Sequence, residues 1–327
     1  MKFIAELCQN HNGDVKVLHQ MVDDATEAGA THIKIQHIQT RNLTFRPEFE
    51  TGFVVEKQVK TIKRPWAAEL KRLKSLELSD NDYRLFVEHV NANGLVPMTT
   101  CFARGDIKMI RDEGFKEIKI ASYDCSSYQL IREVIGVFDY IYVSTGATYD
   151  DELAKTVEIL SSSNKAHALL HCVTEYPTMP RSMNLSRIHL LKSMANTVGY
   201  SDHSSRHLPE CIASKVAIYL GAEVIERHFT ILPEEDTKDG PVSVTKDNLK
   251  NLVEFSRKTK EDQLEDIKQA MPDWEIMKGI SSRGMSHEEK LNRAYYRGRF
   301  GTPRCSNATM TTDMIMNWEE NSIDYRF

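Results

Sequence analysis

The 327-residue chain has no apolar run near the ~18 residues that a bilayer-spanning helix needs, which excludes that class of membrane protein. Its first residues, Met1-Lys-Phe-Ile-Ala-Glu6, enter a strand pattern directly, without the apolar segment and cleavage site of a signal peptide. Basic residues are not in excess: 42 Lys and Arg against 47 Asp and Glu leave a formal charge of −5, against broad nucleic-acid binding. There is no CxxC pair to support structural zinc and no low-complexity tract. Cysteine is sparse, at six. Cys8, Cys101 and Cys172 fall inside strand-like runs, so reduced, buried thiols and a cytoplasmic location are expected rather than a disulfide framework. What the chain does have is 41% apolar residues, enough for a sizeable core in one large domain or two ordinary ones.

Those apolar residues fall in short strand-like runs alternating with helix-period segments. The runs cover 3–8, 32–38, 96–101, 117–122, 140–146, 167–173, 197–203 and 223–230. Between them, Leu18, Met21, Val22 and Ala25 share one helix face, as do Leu130, Ile131, Val134 and Ile135, and Ile212, Ala213, Val216, Ala217 and Leu220. Short, mostly apolar strands belong to parallel sheets buried on both faces. Eight strand–helix units predict an α/β fold, a closed (β/α)8 TIM barrel over 1–267, with a doubly wound open sheet as the alternative. Two segments break the repeat. Residues 41–76 read as a charged insertion over the barrel top. Residues 268–327 read as a linker-like helix and tail, Arg- and Tyr-rich at 292–299.

Barrel enzymes place their chemistry at the C-terminal ends of the strands. Nearly every strand here carries a polar side chain at that end: Glu6; Lys34 and Gln36; Thr99 and Thr100, then Phe102; Lys119 and Ser122, then Asp124; Ser144; His171 to Tyr176; Ser201 and His203; Glu226 and His228. Lys34, Lys119, Thr100, Ser122, Ser144 and Ser201 make a donor-rich set suited to a phosphate or carboxylate dianion. Burying an ammonium without a partner is costly, which favours a role for the two lysines. His203 and His228, at the ends of the last two strands, suit a borderline divalent ion such as manganese, zinc or cobalt. Such an ion can polarise a carbonyl oxygen. Structural alternatives stand beside each reading: strand-end hydroxyls cap helices, a strand histidine can be a hydrogen-bonded core residue, and Asn10-His-Asn-Gly13 is a turn signal.

At these residues the chain resembles the sialic acid synthase family: N-acetylneuraminate synthase and its legionaminate, pseudaminate and spore-coat relatives. The resemblance runs through Ile4-Ala-Glu-Leu-Cys-Gln-Asn-His-Asn-Gly13, Ile33-Lys-Ile-Gln36, Ile118-Lys-Ile-Ala-Ser122, Val143-Ser-Thr-Gly146, Leu170-His-Cys-Val-Thr-Glu-Tyr-Pro-Thr178, Gly199-Tyr-Ser-Asp-His203 and Ile225-Glu-Arg-His-Phe-Thr230. It implies a barrel transferase that condenses phosphoenolpyruvate with an aldose, an N-acetylated hexosamine, to a 2-keto-3-deoxy sugar acid. The expected cofactor is Mn2+, with Mg2+ or Co2+ as alternatives, and the expected assembly a homodimer. By position His203 and His228 would bind the metal. Lys34, Thr100, Lys119, Ser122, Ser144 and Ser201 would hold phosphoenolpyruvate. Glu6 and Asp124 would act at the reacting centre, and Gln36, Phe102, Tyr176 and Asp239 would face the sugar.

The departures from the family pattern concern the sugar side. Asp124 stands where the family carries glutamate, Thr99-Thr-Cys-Phe102 replaces Ser-Thr-Pro-Phe, and Arg64 falls near an acceptor-binding asparagine. The family's C-terminal antifreeze-like domain, which supplies an arginine over the sugar, is expected to be absent. Arg297, Arg299 or Arg304 would then take over, or the acceptor would differ. Two other classes remain as alternatives: a Schiff-base aldolase using Lys34 or Lys119, and a sugar-binding pseudoenzyme.

Overall fold

The computed structural model describes residues 1–304 and 313–323; the remainder of the 268–327 segment lies outside the described residues. Eight parallel strands close into a barrel. They are β1 (Lys2–Cys8), β2 (His32–His37), β3 (Val96–Cys101), β4 (Glu117–Ile120), β5 (Tyr140–Ser144), β6 (Ala166–Cys172), β7 (Thr197–Asp202) and β8 (Val224–His228). Each pairs with its neighbour in sequence, and β1 closes on β8. This is the (β/α)8 TIM barrel expected from the repeat, and the open-sheet alternative falls. Several strands stop one or two residues short of the sequence boundaries, because the polar ends peel off the ladder to line the barrel mouth. Ser122 and Asp124 lie in a 3-10 turn, and His203 sits just past β7.

The helices pack the outward strand faces. Helix α1 (Val15–Glu27) starts where Asp14 accepts from the Lys16 and Val17 amides, and it buries Leu18, Met21, Val22 and Ala25. Helix α2 (Trp66–Lys74) belongs to the insertion. Helix α3 (Asp80–Ala92) opens with a reciprocal Ser79–Asp82 capping box. Inward and outward residues alternate along each strand: Ile33 and Ile35 join the barrel–helix core, whereas Lys34 and Gln36 line the cavity.

Inside the barrel this alternation builds layers. Ile4, Met98, Tyr142, Ala168, Leu170 and Val224 form an apolar plug. Two residues further along the strands stand Glu6, Thr100, Ser144, Cys172 and Glu226. Another step reaches Cys8, Phe102 and His228, with His203 above Ser201 on β7. The plug closes the bottom, so polar chemistry can open only at the top.

The insertion carries a two-stranded hairpin, Phe53–Val55 against Gln58–Thr61, as well as α2. Helix α4 (Lys260–Ala270) crosses position 267, Trp274 and Met277 pack into the core, and helix α5 (His287–Tyr296) lies over the barrel mouth. All five described cysteines are buried and free. Among the described residues, no helix is long and apolar enough to cross a membrane.

Candidate active site

A cavity of about 400 Å³ opens at the C-terminal ends of the strands. All fourteen residues named from the sequence line it: Glu6, Lys34, Gln36, Thr100, Phe102, Lys119, Ser122, Asp124, Ser144, Tyr176, Ser201, His203, His228 and Asp239. The floor is a buried charged layer. Lys34 pairs with Glu6, and its Nζ lies 3.2 Å from Glu226 and donates to Thr100 at 3.4 Å. Lys119 Nζ lies 3.5 Å from Glu226, and Ser201 Oγ donates to the same carboxylate at 2.7 Å. Among the described residues, the buried Ser144 hydroxyl has no hydrogen-bond partner.

These contacts set the charges. Burial would raise the Glu226 carboxyl, but Lys119 and then Lys34 outweigh it and hold the group well below the usual carboxylate range. Burial works against the Lys34 ammonium, yet Glu226 and Glu6 raise it above its ordinary value. Lys119 is left lowered, by burial that Glu226 only partly offsets. Burial also raises Glu6, which Lys34 opposes. The cavity floor therefore holds an ammonium that burial disfavours, and the same cavity is lined by an unpartnered hydroxyl. An incoming dianion would supply what both lack.

Above this layer sit the two histidines, ring centroids 5.3 Å apart. Burial lowers both to about 3: His228 adds to that effect at His203, and Lys34 does so at His228. Both are therefore neutral near pH 7. The Val173 carbonyl can only accept, so the 2.9 Å contact fixes the proton of His203 on Nδ1 and leaves Nε2 with its lone pair. His228 Nδ1 faces Cys8 Sγ at 3.1 Å. No protein hydrogen bond reaches either Nε2 among the described residues, and both rings line the cavity. Neutral imidazoles with free nitrogens fit a divalent ion. Tyr176 stacks on His203 with centroids 4.2 Å apart.

Asp124 accepts from Ser127 Oγ at 2.7 Å and from Asn317 Nδ2 at 3.0 Å, and burial raises its carboxyl. Asn317 also donates to the Phe102 carbonyl at 2.8 Å, so the C-terminal segment braces two cavity residues. Asp239 stands on the loop after β8. There a Cβ on Gly240 would come 1.9 Å from the Glu234 carbonyl oxygen, so only glycine allows the loop to fold this tightly.

Among the cavity residues, Arg72 and Lys238 were not named from the sequence, and Glu226 was named there only as a polar strand end without a role. Glu226 anchors both lysines; its place two residues before His228 on an alternating strand was the available signal. The outer wall is cationic: Arg64, Arg72, Lys238 and Arg299 all line the cavity. Glu69 binds Arg72 through both oxygens at 3.0 Å and also pairs with Arg299. Of the three arginines considered for the sugar side, Arg299 lines the cavity. Arg297 lies over Trp318, and Arg304 pairs with Asp313 and Glu319. No periodic pattern could have found this wall, because it joins the insertion, the loop after β8 and the C-terminal segment.

Residues 21–268 match the NeuB family. The chain is 27% identical over 294 residues to the N,N'-diacetyllegionaminic acid synthase of Campylobacter jejuni, covering 88% of this chain and 81% of that protein. It is 30% identical over 260 residues to the pseudaminic acid synthase of the same organism, covering 78% and 72%. In three dimensions it superposes on the N-acetylneuraminic acid (sialic acid) synthetase of Leptospira borgpetersenii with a TM-score of 0.65, at 26% identity, over 90% of each chain.

Proposed function

The chain belongs to the NeuB family, and on that premise we propose that it condenses phosphoenolpyruvate with an aldose, releasing phosphate and a 2-keto-3-deoxy sugar acid. The observation that carries this reading is vertical. Buried Lys34 and Lys119, with the orphaned Ser144 hydroxyl, lie beneath two neutral histidines whose Nε2 atoms have no protein hydrogen bond among the described residues. An anion on the floor and a carbonyl at the histidines would meet inside one cavity.

Lys34, Lys119, Thr100, Ser122, Ser144 and Ser201 hold phosphoenolpyruvate, the ammonium groups countering its charge and the hydroxyls its oxygens. His203 and His228 would hold a divalent ion, manganese or cobalt by ligand type, and that ion would supply a Lewis acid for the aldose carbonyl oxygen. C3 of phosphoenolpyruvate forms the new bond to the aldehyde carbon, whose oxygen takes up a proton. Positive charge at C2 is met by water; the buried carboxylates Glu6 and Asp124 stabilise that charge and accept the proton water loses. The C2–O bond to phosphate then breaks, and phosphate leaves with the bridging oxygen. Gln36, Phe102, Tyr176 and Asp239 face the sugar.

The outer wall carries Arg64, Arg72, Lys238 and Arg299 against Asp124, Asp239 and Glu288, with Glu69 behind it pairing with Arg72 and Arg299, so an N-acetylated hexosamine bearing an anionic group suits this wall better than a neutral one. Phosphoenolpyruvate labelled with oxygen-18 in the bridging position tests the reaction: the label leaves with phosphate if the reading is right and stays in the product if it is wrong. One observation favours a Schiff-base aldolase, the lowered Lys119. Borohydride with substrate would then give a covalent adduct; none is expected.

A further inference from the structure

Asp124 reaches the cavity from the 3-10 turn Ser122–Asp124 that leads out of β4. Its two carboxylate oxygens stand in different surroundings. Oδ1 accepts from Ser127 Oγ at 2.7 Å and from Asn317 Nδ2 at 3.0 Å. Among the described residues, no protein hydrogen bond reaches Oδ2. Ser127 is a local donor, but Asn317 comes from 193 positions away and does not itself line the cavity. It is buried, and both amide hydrogens are used: the second goes to the Phe102 carbonyl at 2.8 Å. That fixes which way the amide faces, because the reversed amide would set its oxygen against a carboxylate and a carbonyl. The main-chain carbonyl of Asn317 accepts the Leu130 amide at 3.1 Å, in the first turn of the helix Tyr128–Ile135. The segment is fastened on both sides. Met314–Ile315 pairs antiparallel with Thr302–Pro303, and buried Arg104 donates to the Glu319 carbonyl at 2.6 Å and the Asn321 carbonyl at 2.8 Å.

We propose that Asn317 is a positioning residue for Asp124: with Ser127 it clamps Oδ1 and leaves Oδ2 free to take the proton that water loses. This rests on the synthase reading for the role of Asp124, and it makes the C-terminal segment part of the machinery of the site. A brace that only filled space would not need an amide. A buried carboxylate stays ionised only where donors replace the water it has lost. Burial raises the Asp124 carboxyl; Ser127, Asn317 and then Arg297 oppose it. Arg297 is the charged side chain acting on it, and from β3 it faces the Cys101 thiol, which burial and, in smaller part, Asp106 and Asp124 raise. Removing the Asn317 amide leaves burial less opposed, so the ionised form retreats to higher pH.

The test reads Asp124 directly and through turnover. Protein labelled with carbon-13 at the aspartate carboxyl is titrated by NMR, the Asp124 resonance being the one that Asp124→Asn removes. Asn317→Ala is expected to titrate at higher pH than wild type, and Asn317→Asp, which sets a second carboxyl against Oδ1, at higher pH still. Ser127→Ala should move it the same way without touching the C-terminal segment. Asn317→Asp is close to isosteric and carries the test if Asn317→Ala does not fold. An Asp124 titration unchanged in the Asn317 variants overturns the proposal. The second readout is the pH profile of phosphate release from phosphoenolpyruvate and an N-acetylhexosamine 6-phosphate. Asn317→Ala is expected to lose at least ~10-fold in kcat on the acid limb and under ~3-fold on the plateau, with KM for phosphoenolpyruvate within ~2-fold. A uniform loss with an unmoved acid limb marks a structural brace and overturns the proposal. Full turnover by Asp124→Asn also overturns it and leaves the synthase reading standing. No phosphate release from wild type sinks the synthase reading, and the NMR titration then decides on the clamp alone.

Discussion

Glu69 joins two pieces of chain that have no repeat to hold them: α2 of the insertion and the C-terminal segment carrying Arg299. Replacing it, Glu69→Gln, removes the charge and leaves the shape. The carboxyl is held from 4.5 down to about 2; burial alone would raise it, but the Arg72 hydrogen bonds and then Arg299 outweigh burial. At ~1.4 kcal/mol per unit this is at most about 3 kcal/mol. Arg72 is 29% exposed, so solvent screening reduces the figure to about 2 kcal/mol. The folded-state value is depressed, so the contribution is complete above 4.5 and is lost as pH falls towards 2. Thermal melts should therefore place Glu69→Gln roughly 4 °C below wild type at pH 7. The gap should narrow as pH is lowered from 5 to 3. An unchanged melting temperature at pH 7, or a gap that persists at pH 3, would refute the assignment of the stabilisation to this charge.

Other outcomes follow from the same geometry. Lys119→Met should lower kcat/KM for phosphoenolpyruvate by at least ~100-fold, since it leaves Glu226 short of a partner and the substrate anion short of a charge; steady-state kinetics and circular dichroism together separate this from misfolding. Chelation should abolish phosphate release, with recovery on adding Mn2+ or Co2+ greater than with Mg2+. A hexosamine 6-phosphate should bind more tightly than the unphosphorylated sugar, and Arg64→Gln should erase most of that difference in a calorimetric comparison. Gly240→Ala should shift the Asp239 loop and raise KM for the acceptor more than it lowers kcat, because the added Cβ meets the Glu234 carbonyl.

The barrel was legible because its signals are local. Alternation along Ile33, Lys34, Ile35 and Gln36 places apolar residues against helices and polar ones inward, whatever the neighbours are. The helix faces were legible for the same reason, as with Leu18, Met21, Val22 and Ala25. The gathering of the named residues into one cavity follows from strand polarity: in a parallel barrel every C-terminal strand end faces the same way. Glu226 was visible on that logic but lacked a role until its distances to Lys34 and Lys119 were known.

The chain by itself determined the barrel, its polar end and the residue types offered there, because period, apolarity and strand order are properties of sequence. Only the tertiary structure decided which charges pair, which hydroxyl is left alone, and what walls the cavity. Arg64 and Arg72, Lys238, and Arg299 come from three separate segments, and Cys8 meets His228 only because β1 closes on β8. Those contacts span up to 230 positions between Glu69 and Arg299, a separation across which no local pattern carries information.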